Sequence, residues 1–289
     1  MTESARSAYS QGLRTWINGT LFTDPSEALV PAADHGLVAG DGVFEVLKVT
    51  ELGAFAITRH LARLARSAER MGLPGPDLAE VRRGIDEVLA DLSAWGEAPH
   101  GRLRITYTDG VGPLASYRTT DRPLVVVSAE PAPVPEPAGR IVTLPWTRNV
   151  NGAMTGIKTT SYGENVRGLM YAKERDAGEG IFVNTEGYLC EGTGTNIFCV
   201  FGDEIVTPPI STGALDGVTR ALVLEWFGGI ERNLSLSEAK QADEVFLTST
   251  TRDVQAVSAW DNLTWTAPGP VATRLRTEFQ QRAGADPDP

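Results

Sequence analysis

Apolar and polar positions alternate in two distinct rhythms along the first half of the chain. Residues 15–19 (TWING) read as a strand entering a turn. Residues 43–49 keep a period of two, and Phe55-Ala-Ile57 follows a turn at Gly53. From residue 60 to 71 the rhythm becomes helical. Leu61, Leu64, Ala65, Ala68 and Met71 share one face, and Gly72, Pro74 and Pro76 stop the helix. A second amphipathic helix is expected over 77–95, with Leu78, Val81, Ile85, Val88, Leu89 and Leu92 as its stripe. Strands over 103–108 and 124–128 complete this block.

Pro131-Ala-Pro-Val-Pro-Glu-Pro137 is the most proline-dense stretch. Proline fixes φ and removes a donor, so the segment should be extended and outside any sheet interior. A second block follows, with strands expected near 140–144, 181–184, 195–201, 204–206 and 244–249. Its helices are expected near 164–177, 216–227 and 235–241. The division predicted is a small domain over 1–130, a linker over 131–139, a larger domain over 140–281, and a disordered tail over 282–289 rich in Gly, Pro and Asp. The fold class is α+β in two domains, with no internal repeat and no Rossmann or Walker pattern.

Composition narrows the function. The 289 residues carry a formal net charge of -11 and no basic run, which argues against nucleic acid as a partner. The two cysteines, Cys190 and Cys199, rule out a disulfide scaffold and read as buried strand residues. Apolar runs such as 124–127 are far too short to span a bilayer, and the first residues lack a signal-peptide pattern. A cytoplasmic protein with no membrane partner is expected. Trp146, Trp226, Trp260 and Trp265 read as core or interface anchors.

His35, His60 and His100 are the only histidines. None has metal-ligand spacing, and G-x-S-x-G is absent, so metal hydrolysis and triad chemistry are not indicated. Lysine is more telling, with four (Lys48, Lys158, Lys173, Lys240) against twenty-two arginines. Lys173 and Lys240 sit in charged helical contexts and read as solvated. Lys158 follows Gly152-Ala-Met-Thr-Gly-Ile157 and precedes Thr159-Thr-Ser-Tyr162. Such a setting gives either a desolvated, nucleophilic amine or a snorkelling surface group.

An ordered series of segments decides between them. Gly40-Asp-Gly-Val-Phe-Glu-Val-Leu-Lys48, His60-Leu-Ala-Arg-Leu64, Glu191-Gly-Thr-Gly-Thr-Asn-Ile-Phe198, Thr207-Pro-Pro209, Leu215-Asp-Gly-Val-Thr-Arg220 and Thr248-Ser-Thr-Thr251 resemble the class IV aminotransferases. These are the fold type IV enzymes of pyridoxal 5′-phosphate, closest here to D-amino-acid transaminase and 4-amino-4-deoxychorismate lyase. The resemblance implies a small N-terminal α/β domain, a larger β-barrel-like domain and a homodimer. It makes Lys158 the Schiff-base lysine and proton shuttle, and Glu191 the partner of the pyridine nitrogen. It gives Arg63, Gly217, Val218, Thr219 and Thr250 to the phosphate, and puts Tyr162 near the phenolic oxygen.

The same resemblance puts Phe44, Val46 and Lys48 at the substrate. The strand Phe44-Glu-Val-Leu-Lys48 is closest to its D-amino-acid version, since branched-chain enzymes carry glycine where Val46 stands. The Arg-x-His pair that holds a substrate carboxylate falls on Asp109 and Val111, so either another cation (Lys48, Arg118 or Arg148) binds it or the preferred substrate is not the usual one. The activity implied is transfer from D-amino acids, and R-amines, to 2-oxo acids. The lyase reaction, giving 4-aminobenzoate and pyruvate, and branched-chain transamination are the alternatives. Retention of Lys158 and Glu191 argues against a non-catalytic binding protein.

Overall fold

The computed structural model describes residues 12–24, 26–90, 92, 95, 100–118 and 122–289. Two units result. One comprises residues 1–134, 157–161 and 287–289, the other residues 135–156 and 162–286.

In the first unit, β1 (Arg14–Ile17) and β2 (Thr20–Phe22) form a hairpin whose two-residue loop is Asn18-Gly19. Both loop residues have positive φ, as a tight hairpin turn of this twist requires. With β3 (Gly42–Thr50), β4 (Gly53–Ala54), β5 (Gly101–Thr108) and β6 (Leu124–Pro131) they build an antiparallel sheet ordered β2-β1-β6-β5-β3-β4. Strand alternation gives β3 two sides. Val43, Leu47 and Val49 join a core with Leu103, Ile105, Val125 and Val127, covered by α2 (Ile57–Met71) and α3 (Leu78–Leu89). Phe44, Val46 and Lys48 point the other way. A one-turn helix, α1 (His35–Val38), is capped by Asp34, whose carboxylate accepts the Gly36 N–H.

Helix α3 begins at Asp77, which accepts N–H bonds from Ala79 and Glu80, an N-cap the sequence spells out. Helix α2 starts three residues earlier than its stripe suggests. Its cap residue Ala56 has φ 54° and offers no side-chain cap. Asp288 substitutes, accepting from Thr58 N–H at 2.8 Å and Thr58 Oγ1 at 2.7 Å. The expected helix over 77–95 ends at Leu89; part of its predicted last turns lies outside the described residues.

The second unit is a mixed sheet. Its strands are β7 (Ala138–Arg148), β8 (Glu179–Asn184), β9 (Leu189–Gly192), β10 (Asn196–Phe201), β11 (Glu204–Thr207), β12 (Ile230–Glu231), β13 (Glu244–Ser249) and β14 (Asp253–Trp260), ordered β12-β11-β10-β13-β14-β7-β8-β9, with β15 (Leu263–Thr264) beside β14. The terminal strand β9 also contacts β10, so the sheet curls back on itself. The pairs β14–β7, β7–β8 and β11–β12 are parallel. Helices α4 (Gly163–Lys173), α5 (Val218–Phe227), α6 (Leu236–Ala239) and α7 (Pro270–Ala285) pack on it. Trp260 is fully buried in its core and Trp146 is 40% exposed.

Three expectations change. Residues 282–285 continue α7, and Asp288 caps α2, where the sequence predicts disorder; the polar tail is held by backbone and carboxylate hydrogen bonds that composition does not reveal. The division falls between Val134 and Pro135, but β6 runs through Pro131, and Pro137 O accepts from Ala256 N–H. Residues 157–161 group with the first unit, because Thr159 bridges to Val43 and Thr160 N–H bonds Gly42 O. No helix among the described residues is long and apolar enough to cross a membrane.

Candidate active site

In the first unit, the side of β3 facing the helices carries a carboxylate, Glu45, at 0% exposure. Burial alone would raise its pKa. The charge of Arg63 and hydrogen bonds from Arg63 and His60 outweigh burial and hold it down to about 2. Arg63 Nε and Nη2 reach the two Glu45 oxygens at 2.8 and 2.7 Å, and His60 Nδ1 lies 2.7 Å from Oε2. His60 and Arg63 are three apart on α2, hence on one face. Desolvation lowers the His60 pKa against the pull of Glu45, so its ring is kept neutral and donates Nδ1–H. Arg63 thus meets Glu45 through Nε and Nη2, and a planar guanidinium fork is also the shape that suits a phosphate.

On the other side of β3 lies Phe44, 3% exposed, whose N–H bonds Lys158 O at 2.9 Å. That backbone bond fixes the lysine's position against the strand. Lys158 Nζ stands 4.2 Å from the Phe44 ring centroid, and the Arg104 guanidinium carbon stands 3.9 Å from it. Arg104 arrives from β5, where it pairs with Val46, and Nε donates to Thr106 Oγ1 at 3.1 Å. Val46 is half-buried. Lys48 is buried with Nζ 5.2 Å from the Phe55 ring centroid.

Arg118, a candidate cation for the substrate carboxylate, and Asp109, on which the arginine of the Arg-x-His pair falls, have other company. Arg118 grips both Asp41 oxygens, Nε at 2.7 Å and Nη2 at 2.5 Å, and donates to Gly72 O and Met71 O. The edge that would clasp a carboxylate already holds one. Asp109 is 2% exposed near His35 and Asp41.

The second unit holds Glu191, also buried. Its Oε2 accepts the Leu215 N–H at 2.8 Å, and Arg148 Nη2 lies 3.4 Å from Oε1. Arg148, the third candidate for the carboxylate, also binds Glu164 and Asn165 and stacks 4.2 Å over Phe182, so its contacts belong to Glu191 and α4. Tyr162 donates its hydroxyl to Thr193 O at 2.8 Å. Burial, then the charges of Glu191 and Glu179, push its pKa up to about 12, so it stays a phenol at neutral pH. Glu179 itself takes Arg252 and the Thr193 hydroxyl. The Cys190 and Cys199 thiols are unpaired by disulfide, and burial pushes both pKa values up.

Helix α5 starts at Gly217, which supplies no side-chain cap, beside the buried Val218 and Thr219. A Cβ at Gly217 would meet Asn196 Oδ1 at 2.0 Å, so only glycine fits. On β13, which packs against α5, the Thr248 and Ser249 hydroxyls are buried without a hydrogen-bond partner among the described residues, next to half-buried Thr250. An uncapped ten-residue helix and adjacent orphan hydroxyls are the donor set an oxyanion such as phosphate needs.

Sequence reasoning passed over Glu45 and Arg104. The first had a signal: a carboxylate in the inward phase of Val43, Leu47 and Val49 demands partners, and His60 and Arg63 share the facing helical stripe. Arg104 had none, since only the register of β5 against β3 brings it to Phe44.

A family model described as amino-transferase class IV matches residues 42–260. A bifunctional aminodeoxychorismate lyase / D-amino acid transaminase of Mycobacterium tuberculosis is 33% identical over 219 residues, covering 70% of this chain and 73% of the relative. A putative branched-chain-amino-acid aminotransferase of Methanocaldococcus jannaschii is 29% identical over 279 residues, covering 93% and 96%. The PLP-bound form of a hypothetical aminotransferase from Mycobacterium tuberculosis superposes with a TM-score of 0.83 at 27% identity, covering 94% of this chain and 99% of that one.

Proposed function

The chain belongs to the class IV amino-transferases, and we propose that its donors are D-amino acids, with R-amines as further donors and 2-oxo acids as acceptors. Its cofactor is pyridoxal 5′-phosphate, which when bound supplies an electron sink for the carbon that loses its proton. The residues fit that group: an amine at Lys158, a buried carboxylate at Glu191, and the oxyanion donors of α5, Thr250 and Arg63.

In this reading Lys158 Nζ holds the cofactor and carries the proton from the donor carbon. Glu191 keeps a proton at the ring nitrogen, and Leu215 N–H and Arg148 hold its carboxylate in position. Glu45 and His60 orient Arg63 toward the phosphate, and Thr219 adds a hydroxyl beside the helix end. Tyr162 remains a donor at working pH. Phe44 and Val46 line the donor's side chain. The enzyme acts as a cytoplasmic homodimer.

The observation that carries the reading is one ring approached by an amine and a guanidinium: Lys158 Nζ and Arg104 both lie against Phe44. An α-amino acid presents its amino group and its carboxylate on one carbon, which suits that pair and gives Arg104 the work of the missing Arg-x-His. The preference for the D-enantiomer rests on the Phe44-Glu-Val-Leu-Lys48 strand and on the name of the Mycobacterium relative. That same bifunctional name favours, as a second reading, release of pyruvate from 4-amino-4-deoxychorismate.

The test is the visible spectrum of the purified holoenzyme with D-alanine, L-alanine, L-leucine and (R)-1-phenylethylamine in turn. D-Alanine should convert the bound cofactor and L-alanine should not. Conversion by L-leucine alone would make this a branched-chain enzyme. Pyruvate released from 4-amino-4-deoxychorismate without any acceptor, with D-alanine inert, would make it a lyase.

A further inference from the structure

Around His35, in the first unit, hydrogen-bond acceptors outnumber donors. His35 is 1% exposed and its Nε2 lies 2.8 Å from Pro113 O. A carbonyl only accepts, so Nε2 carries the ring proton and Nδ1 of the neutral ring is a lone pair. That lone pair faces Asp41 Oδ2 at 3.7 Å. Asp109, 2% exposed, brings a second carboxylate whose Oδ2 is buried with no hydrogen-bond partner among the described residues. One ligand atom from each of His35, Asp41 and Asp109 lies within 4.8 Å of the others.

Carboxylates also gather here. Asp34, 2% exposed, stands close enough to act on Asp109, and its oxygens take Gly36 N–H and the Thr108 hydroxyl. Among the described residues, the carboxylates of Asp34, Asp41 and Asp109 gather near the Arg118 guanidinium, which is spent on Asp41. Burial raises the Asp109 pKa, and a buried carboxylate keeps its charge only when paired or bound to a cation. One imidazole nitrogen and two carboxylates form a donor set for a transition metal; magnesium and calcium prefer oxygen alone.

We propose that His35 Nδ1, Asp41 and Asp109 bind one divalent transition-metal ion. The ion takes the imidazole lone pair and the orphaned Asp109 oxygen, and shares Asp41 with Arg118. Metal bonds of about 2.1 Å keep ligand atoms within about 4.2 Å of one another, so the cluster closes by less than about an ångström. The bound ion ties the residue preceding β3 to the residue following β5, both ends of the strands that carry Phe44 and Arg104. The spacing is invisible in sequence, because Asp109 is distant along the chain and meets Asp41 only through antiparallel pairing of those strands.

The experiment is calorimetric titration of the EDTA-treated, cofactor-loaded protein with Zn²⁺ and with Mn²⁺, read beside native mass spectrometry. One ion per chain is expected. D109N and H35Q should each weaken it about 10-fold or more, as loss of a ligand must exceed loss of a supporting contact. Asp109→Asn is nearly isosteric, and an unchanged melting temperature of the metal-free variant shows that its fold is kept. No bound ion, or binding that ignores both substitutions, overturns the proposal. So does a doubly protonated His35 ring at neutral pH in the metal-treated protein, seen by ¹⁵N resonance, since protons would then supply the missing charge.

Discussion

Arg148 Nη2 lies 3.4 Å from Glu191 Oε1, a guanidinium set beside the carboxylate that in our reading faces the cofactor's ring nitrogen. Both side chains are about nine-tenths buried, so their interaction is poorly screened. Arg148→Met should lower kcat/KM for D-alanine roughly 10- to 100-fold, the about 1.5–3 kcal/mol of a charge-assisted hydrogen bond. It should also move the pH dependence of the bound cofactor's spectrum, and Arg148→Lys should restore part of both. A rate loss with an unmoved spectral profile would mean that Arg148 merely holds α4.

Arg104 separates amino acids from amines. Arg104→Leu should cut kcat/KM for D-alanine by roughly 10-fold or more, the worth of one charged contact, and leave (R)-1-phenylethylamine, which has no carboxylate, near its original rate. Steady-state kinetics with the two donors measures the difference. An equal loss for both would show that Arg104 supports the Phe44 ring and nothing else.

Acid should weaken the first unit through Glu45 and His60. Glu45 titrates at about 2 when folded against 4.5 ordinarily, so below pH 4.5 the unfolded chain binds the extra proton and stability falls until about pH 2. His60 is lowered too, so the unfolded chain also takes its proton first, and loss begins as pH drops through 6.5. Both signs agree. Thermal melts should be flat just above pH 6.5 on account of these groups and fall steadily below it. Glu45→Gln leaves Arg63 buried without its carboxylate and should cost about 3–5 kcal/mol at pH 7.

Gly84 tests packing. In an exposed helix interior Gly→Ala stabilises by about 0.5–1 kcal/mol. Here a Cβ would stand 2.7 Å from Cε3 of Trp16, an indole at 0% exposure that has no room to swing. The clash, about 1–3 kcal/mol for overpacking a filled core, outweighs the gain. Gly84→Ala should therefore lower the melting temperature by several degrees, and a rise would mean that the Trp16 pocket yields.

What could be read beforehand follows from locality. Strand β3, the body of α2 and the Asp77 cap are written in neighbouring residues, as is the hairpin at Asn18-Gly19. Strand β14 and helix α7 carry no such local mark. In β14, Val254, Ala256 and Val257 are buried on both sides by neighbours far along the chain, so no alternation betrays it. The chain's end looks disordered because Asp288 gains its order from Thr58. The site divides in the same way. Lys158, Arg63 and Glu191 stand in motifs, whereas the engagement of Arg118 with Asp41, of Arg148 with Glu191 and of Arg104 with Phe44 depends on strand register.

In our reading Lys158 holds the cofactor, and the chain has only four lysines to choose from. Borohydride reduction of the holoenzyme, followed by peptide mapping, reads the attachment point directly. The cofactor's mass should fall on the peptide containing Lys158 and on no other, with Lys158→Ala left unlabelled. Label on Lys48, Lys173 or Lys240 in the native protein would contradict it.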